Sequence, residues 1–281
     1  MERRQYLGAA AAGLAVGVVG VGGYTVLSGD AGGPPPVAES AYPPYPEANE
    51  IERSGDGPTT SEPFQLENDG PTIVRADHDD SVAADVPFNM TLASTTSPAT
   101  RTVVRLTGGY VGSTVVTSQA KPQSVPPGEY ELAVTGTSAQ DPGSWEATVY
   151  DIPDYDDQGL SVPLAYNDVL NFVIGPINFG AESMFGFTFS LDADTESNLY
   201  LIDSEGNFRQ LLLKAPTAGD YDGTFPGGGV GYIAIDSNTE WTFNLEQSDE
   251  PLPNSNETRT QSDESNTTTQ STAETNTTQS S

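Results

Sequence analysis

The stretch that decides the fold is Glu129–Gly136, EYELAVTG, in which Tyr130, Leu132 and Val134 alternate with Glu131, Ala133 and Thr135. A two-residue period puts the apolar members on one side of an extended chain and the rest on the other, as in a half-buried strand. The same alternation recurs in Arg101–Gly108 (RTVVRLTG), Trp145–Asp151 (WEATVYD), Asn198–Gly206 (NLYLIDSEG) and Gly231–Asp236 (GYIAID). Gly, Pro, Asp and Asn clusters separate these segments, and no stripe of helical period interrupts them. The spacing predicts an all-β fold of sandwich architecture.

Working outward, the β region divides into two tandem units, 72–151 and 152–247, that look like one pattern written twice. Phe88, Met90, Thr91 and Leu92 in the first answer Phe185, Phe187, Thr188 and Phe189 in the second. An alternating strand and a glycine turn follow in each, then Pro126–Val134 answers Gly228–Asp236, and Trp145 answers Trp241. Each Tyr–Trp step, Tyr130 to Trp145 and Tyr232 to Trp241, reads as a closing hairpin, with the tryptophans as buried anchors. The Gly-rich run GDYDGTFPGGGVGY, Gly219–Tyr232, reads as the turn feeding the second tyrosine strand. The stretch PPGEYELAV is similar to the closing hairpin of pre-peptidase C-terminal domains, small β-sandwich modules appended to secreted peptidases. That resemblance covers the last third of each unit and implies a jelly-roll-like accessory module without catalysis of its own.

The flanks carry no core. Residues 28–71 are rich in proline, with Pro34–Pro36 and Pro43–Pro44, and read as an extended linker. Residues 248–281 hold sixteen Ser or Thr and no aromatic, and read as a disordered tail. Asn-x-Ser/Thr triplets at Asn256, Asn266 and Asn276 in that tail, and at Asn89 in the first unit, are candidate glycosylation sites. The opposite reading is chance, since a tail rich in Asn and Thr generates such triplets freely.

Residues 1–27 place Arg3 and Arg4 before Gln5, Tyr6 and Leu7, ahead of an apolar run rich in Gly and Ala out to Leu27. A charged start, an apolar stretch and a polar exit is the plan of an export signal. The run RRQYL resembles the twin-arginine signal, with Glu2 where that family usually has Ser or Thr. The resemblance implies export to the cell surface or the medium; the segment is then either removed or kept as a membrane anchor, the one contact with a membrane that the sequence offers.

Forty Asp and Glu against ten Lys and Arg give a net charge of −30. Such a charge repels phosphate backbones and anionic membranes, which argues against nucleic acid as a partner. Acidic, lysine-poor surfaces of this kind resemble those of salt-adapted proteins. Together with the twin-arginine pattern, the chain resembles the cell-surface proteins of halophilic archaea. With no cysteine in the sequence, stability rests on a hydrophobic core and not on disulfides.

No catalytic constellation is legible, and the chain reads as a non-enzyme. The single histidine, His78 in RADHDDS, reads as a solvated loop residue without a nucleophile elbow to serve. Carboxylates such as Glu182, Asp192, Asp194, Glu196, Asp203 and Glu205 qualify as a glycosidase pair only where two converge in a cleft. No cofactor is required by any motif. Calcium is the one ion with a candidate loop: Asp192, Asp194, Glu196 and Asn198 offer oxygen at alternate positions, without the glycine or closing glutamate of the twelve-residue calcium loop. The competing reading of that loop, and of Asp77–Asp80 and Asp154–Asp157, is a hydrated acidic surface. The expected function is a structural or binding module outside the cell, its partner another cell-surface protein or a polysaccharide. A carbohydrate- or polymer-binding accessory protein is the alternative, with Tyr110, Tyr150, Tyr155 and Tyr166 as the candidate stacking platform.

Overall fold

The computed structural model describes residues 38–39, 45–78, 86–107, 110–118, 121–136, 143–168, 171–237 and 239–252. Arg3, Arg4, Tyr6 and Leu7, and the tail triplets at Asn256, Asn266 and Asn276, lie outside them. Among the described residues every regular element is a strand, so the chain is all-β. In chain order these are β1 (Ala38–Glu39), β2 (Asn49–Asp56), β3 (Phe64–Leu66), β4 (Thr72–His78), β5 (Pro87–Ser94), β6 (Thr100–Thr107), β7 (Tyr110–Val115), β8 (Thr117–Ser118) and β9 (Lys121–Pro122). There follow β10 (Gly128–Thr135), β11 (Ser144–Asp151), β12 (Leu164–Asp168), β13 (Phe172–Leu191), β14 (Ser197–Asp203), β15 (Phe208–Ala215), β16 (Gly219–Asp236) and β17 (Trp241–Gln247).

The first half is a sandwich. A six-stranded sheet, ordered β3-β10-β5-β6-β8-β9, faces a four-stranded sheet, ordered β2-β11-β4-β7. The alternating residues of both inner faces make one core: Phe88, Met90, Leu92 and Leu132 from one sheet, Val74, Ala76, Trp145 and Val149 from the other. This corrects the lower boundary of the first unit. Residues 49–66, read as linker, contribute β2 and β3 and bury Phe64 and Leu66. The signal was weak because β2 is an edge strand whose inner face carries Arg53, with its guanidinium 5.1 Å from the centroid of the Phe64 ring.

The second half is a seven-stranded sheet, β1-β12-β17-β13-β16-β14-β15, that folds across itself through two long strands. The early part of β13, Phe172–Asn178, pairs with Val230–Ile235 of β16; its later part, Ser183–Leu191, pairs with Gly219–Gly227 of the same strand. Bulges at Ile174–Ile177 and Asn178–Ser183 separate the two stretches and supply the bend. Phe172, Phe189, Phe225, Trp241 and Phe243 fill the core.

Four sequence expectations change here. The run Gly219–Tyr232 is strand, not turn. Its glycines make room for aromatic rings: a Cβ on Gly223 would stand 2.7 Å from the Phe187 ring, and one on Gly227 2.8 Å from Phe185. Neither Tyr–Trp step is a hairpin, since β10 and β11 belong to different sheets and β16 and β17 lie on either side of β13. The repeat carries only part way into pairing: the Phe strand pairs with the Tyr strand in both halves, but β13 also pairs with Trp241's strand, whereas Trp145's strand lies in the other sheet. Finally, His78 is fully buried at the end of β4, its ring stacked on Phe88 with centroids 4.0 Å apart and planes 10° from parallel.

A third apolar cluster joins the halves. Ile73 and Val115 of the first sandwich pack with Val173, Ile202, Val230 and Tyr232 of the second, with Tyr45, Ile152 and Tyr155 closing the cluster. Backbone bonds stitch the same junction. Ser113 N–H donates to Asn171 O at 2.9 Å, and Val173 N–H donates to Ser113 Oγ at 3.2 Å.

Candidate functional site

Beside this junction the two halves stand apart and leave a groove of about 680 Å³. One wall is the edge of β6, where the consecutive residues Thr102–Leu106 line the opening, helped by Thr114 of β7 and Thr117 of β8. Consecutive lining residues mean that this strand presents its backbone edge. β8 pairs with β6 at Thr102. The other wall is the outer face of the second half, where Tyr200, Ala234 and Asp236 stand side by side because β14 and β16 pair with Tyr200 opposite Ala234 and Asn198 opposite Asp236.

Asn171 organises the floor. Its Oδ1 accepts the Ser237 N–H at 2.8 Å, which turns its amide toward Asp236; the Asn171–Asp236 side-chain bond favours the ionised carboxylate. The surrounding walls act the other way and more strongly, so the Asp236 carboxyl is raised above the ordinary range, with the nearby Glu196 charge adding to the rise. The Tyr200 phenol is raised as well, by burial first and then by the charges of Asp236 and Glu196. Glu196 is itself held by Lys214, Nζ to Oε2 3.0 Å, across an exposed pair. Arg105 of β6 lines the opposite wall and is exposed. The groove thus combines two carboxylates, an amide, a guanidinium and a half-buried aromatic ring. Beyond its rim the Tyr200 ring meets Phe208 edge-on at 6.2 Å, and Lys121 Nζ lies 4.9 Å from the Phe208 centroid.

The residues nominated from the sequence fall elsewhere or do other work. Of the calcium candidates, Asp194 Oδ1 accepts the Ala218 N–H at 3.0 Å, and Glu196 is paired with Lys214. Asp192 is exposed, and Asn198 is half-buried within β14. Among the described residues no three Asp, Glu or His side chains gather as a metal-holding group. Three members of the proposed stacking platform, Tyr110, Tyr155 and Tyr166, are buried, and Tyr150 is half-buried against Tyr45 with centroids 5.0 Å apart. That platform does not exist as an exposed face. Asn89 sits half-buried in the middle of β5, between β6 and β10. Asn171, Asp236 and Tyr200 carried no distinguishing sequence signal, and Arg105 was visible only as a polar position in a strand.

A buried carboxylate away from the groove, Asp151 at the end of β11, is structural. It accepts N–H bonds from Glu67 at 2.9 Å and Asn68 at 3.2 Å and ties the 67–70 turn to the sheet. Burial raises its carboxyl, partly offset by those bonds.

No protein-family model matches the chain, and no curated protein matches it. Among solved structures, one titled "Structure of infectious bursal disease virus Gx strain" is similar at 10% identity, covering 73% of this chain and 68% of that one, with a TM-score of 0.11. A likeness at that level carries no argument about fold or function. Among the described residues no helix is long and apolar enough to cross a membrane.

Proposed function

We propose that this chain is an exported, non-catalytic binding module of a salt-adapted organism, held at the cell surface or released. The observation that supports it most is the groove: a depression of mixed polar and apolar lining, partly aromatic, between two β bodies, walled by residues from β6, β14 and β16. An apolar junction beside a recognition groove fixes its walls before a ligand arrives, which lowers the ordering cost of binding. The twin-arginine pattern at Arg3 and Arg4 supplies the route out, and the net charge of −30 suits molar salt, where screening lengths fall to about 3 Å. The segment before β2 and the Ser/Thr-rich tail act as spacers, the tail with glycosylation at one or more of Asn256, Asn266 and Asn276. The partner is a cell-surface protein or a polysaccharide. The polysaccharide reading is favoured by the same groove, not by the four tyrosines first considered.

Fractionation of a haloarchaeal host expressing the full chain tests this. The protein belongs in the envelope or the medium, and Arg3→Lys with Arg4→Lys leaves it in the cytoplasm. Wild-type protein recovered in the cytoplasm overturns the proposal.

A further inference from the structure

We infer that the groove between the halves is a carbohydrate site, and that its ligand is an uncharged, polyhydroxylated segment of an oligosaccharide lying along Tyr200. This inference rests on the proposed role as an exported binding module and names the ligand of its groove.

Three observations carry it. First, the groove offers both partners a sugar hydroxyl needs. The Asp236 and Glu196 carboxylates accept, and the Arg105 guanidinium on the facing wall donates. A hydroxyl is both donor and acceptor, so a row of them satisfies such a mixed set, whereas a purely anionic or cationic ligand leaves half of it opposed. Second, the half-buried Tyr200 ring lines the wall of the second half, and a ring of this kind takes the apolar face of a sugar ring. Third, the volume of about 680 Å³ lies within the range of small-ligand clefts, roughly 300–1,000 Å³.

Charge decides against an acidic glycan. The charges in and beside the groove nearly balance in number: Arg105 and Asp236 line it, and Lys214 pairs with Glu196 at its edge. The rest of the chain carries the −30. In molar salt, ionic attraction between exposed groups is largely screened, so recognition through hydrogen bonds and ring contact is what survives there.

The test is isothermal titration of the full chain in molar KCl with three probes: cellotetraose, chitotetraose and tetragalacturonate. A neutral tetrasaccharide is expected to bind, with an affinity that stays constant as KCl is varied over the molar range. Tyr200→Ala and Asp236→Ala each weaken it by about tenfold or more, the effect of losing a ring face or a charge-assisted hydrogen bond. Tyr200 also packs on the junction, so Asp236→Ala, whose side chain reaches solvent, keeps the test valid if the first variant unfolds. Preference for tetragalacturonate, equal binding by wild type and Asp236→Ala, or no binding by any probe overturns the inference. If the protein is at the cell surface and no probe binds, only the ligand is wrong; if it stays in the cytoplasm, the surface role fails whatever the titration gives.

Discussion

Replacing Tyr232 with phenylalanine should make the protein more stable. Tyr232 is fully buried in the cluster that joins the halves. Its hydroxyl meets no hydrogen-bond partner among the described residues. Nearby hydroxyls are already committed: Tyr45 donates to Val173 O at 3.1 Å, and Tyr155 donates to Pro46 O. Burial accordingly pushes the Tyr232 phenol far above its ordinary pKa, with Tyr155, Tyr45 and Asp154 adding to the rise, and Tyr155 itself is pushed up to about 12. Burying an unpaired hydroxyl costs roughly 1–3 kcal/mol. Phenylalanine keeps the ring and removes that cost, so a gain of about 1–2 kcal/mol is expected. For a folded body of this size each kcal/mol moves Tm by about 2–4 °C. Urea unfolding in molar KCl, followed by tryptophan fluorescence, should show a higher midpoint at unchanged slope. Tyr130→Phe is the control of opposite sign. The Tyr130 hydroxyl donates to Pro126 O at 2.8 Å, and its loss should cost about 1 kcal/mol. A Tyr232→Phe protein destabilised as much as Tyr130→Phe would refute the reasoning and place a hidden partner, such as a trapped water, on that hydroxyl.

Other expectations concern charge, backbone and metal. The Asp236 carboxyl is raised in the folded state, so the native protein holds its proton more tightly than the unfolded chain does. Its contribution is full below the unfolded value of 3.8 and is lost as pH rises through the folded value. Asp236→Asn should therefore gain on wild type as pH rises through that window and hold a constant lead above it, in a comparison of Tm against pH. A flat difference contradicts the assignment. Gly175 has a φ of +144°, and a Cβ there would come within 2.4 Å of Tyr232 Cδ1. Gly175→Ala should cost upwards of about 2 kcal/mol in the same urea assay, and a neutral result would mean the junction yields easily. Because Asp194 already serves the Ala218 N–H and Glu196 already serves Lys214, adding calcium or EGTA should leave Tm unchanged. A rise of several degrees with calcium would show a site that these contacts do not block.

The sequence told faces well and partners poorly. Alternation in EYELAVTG and WEATVYD predicted which side of each strand is buried, and Tyr130, Leu132, Trp145 and Val149 are all in the core. Alternation says nothing about which strand lies alongside, so two crossings between layers looked like hairpins. The strand around Gly223 and Gly227 was missed because glycines flank its one buried ring there, Phe225, leaving room for the phenylalanines opposite, Phe185 and Phe187. His78 was misread for the reverse reason: acidic neighbours in sequence concealed a ring stacked on Phe88. The groove was illegible because Arg105, Tyr200 and Asp236 come from three separate strands, Asn171 from the loop before β13, and the four share no spacing. Their common location exists only once the halves have packed.

That packing is the claim on which the groove depends, and scanning calorimetry of the full chain in molar KCl tests it most directly. Halves locked through Ile73, Val115, Val173 and Tyr232 should melt together, in one transition whose calorimetric and van't Hoff enthalpies agree. Two separate transitions would mean that the halves unfold independently and that the groove is not a fixed feature of the protein.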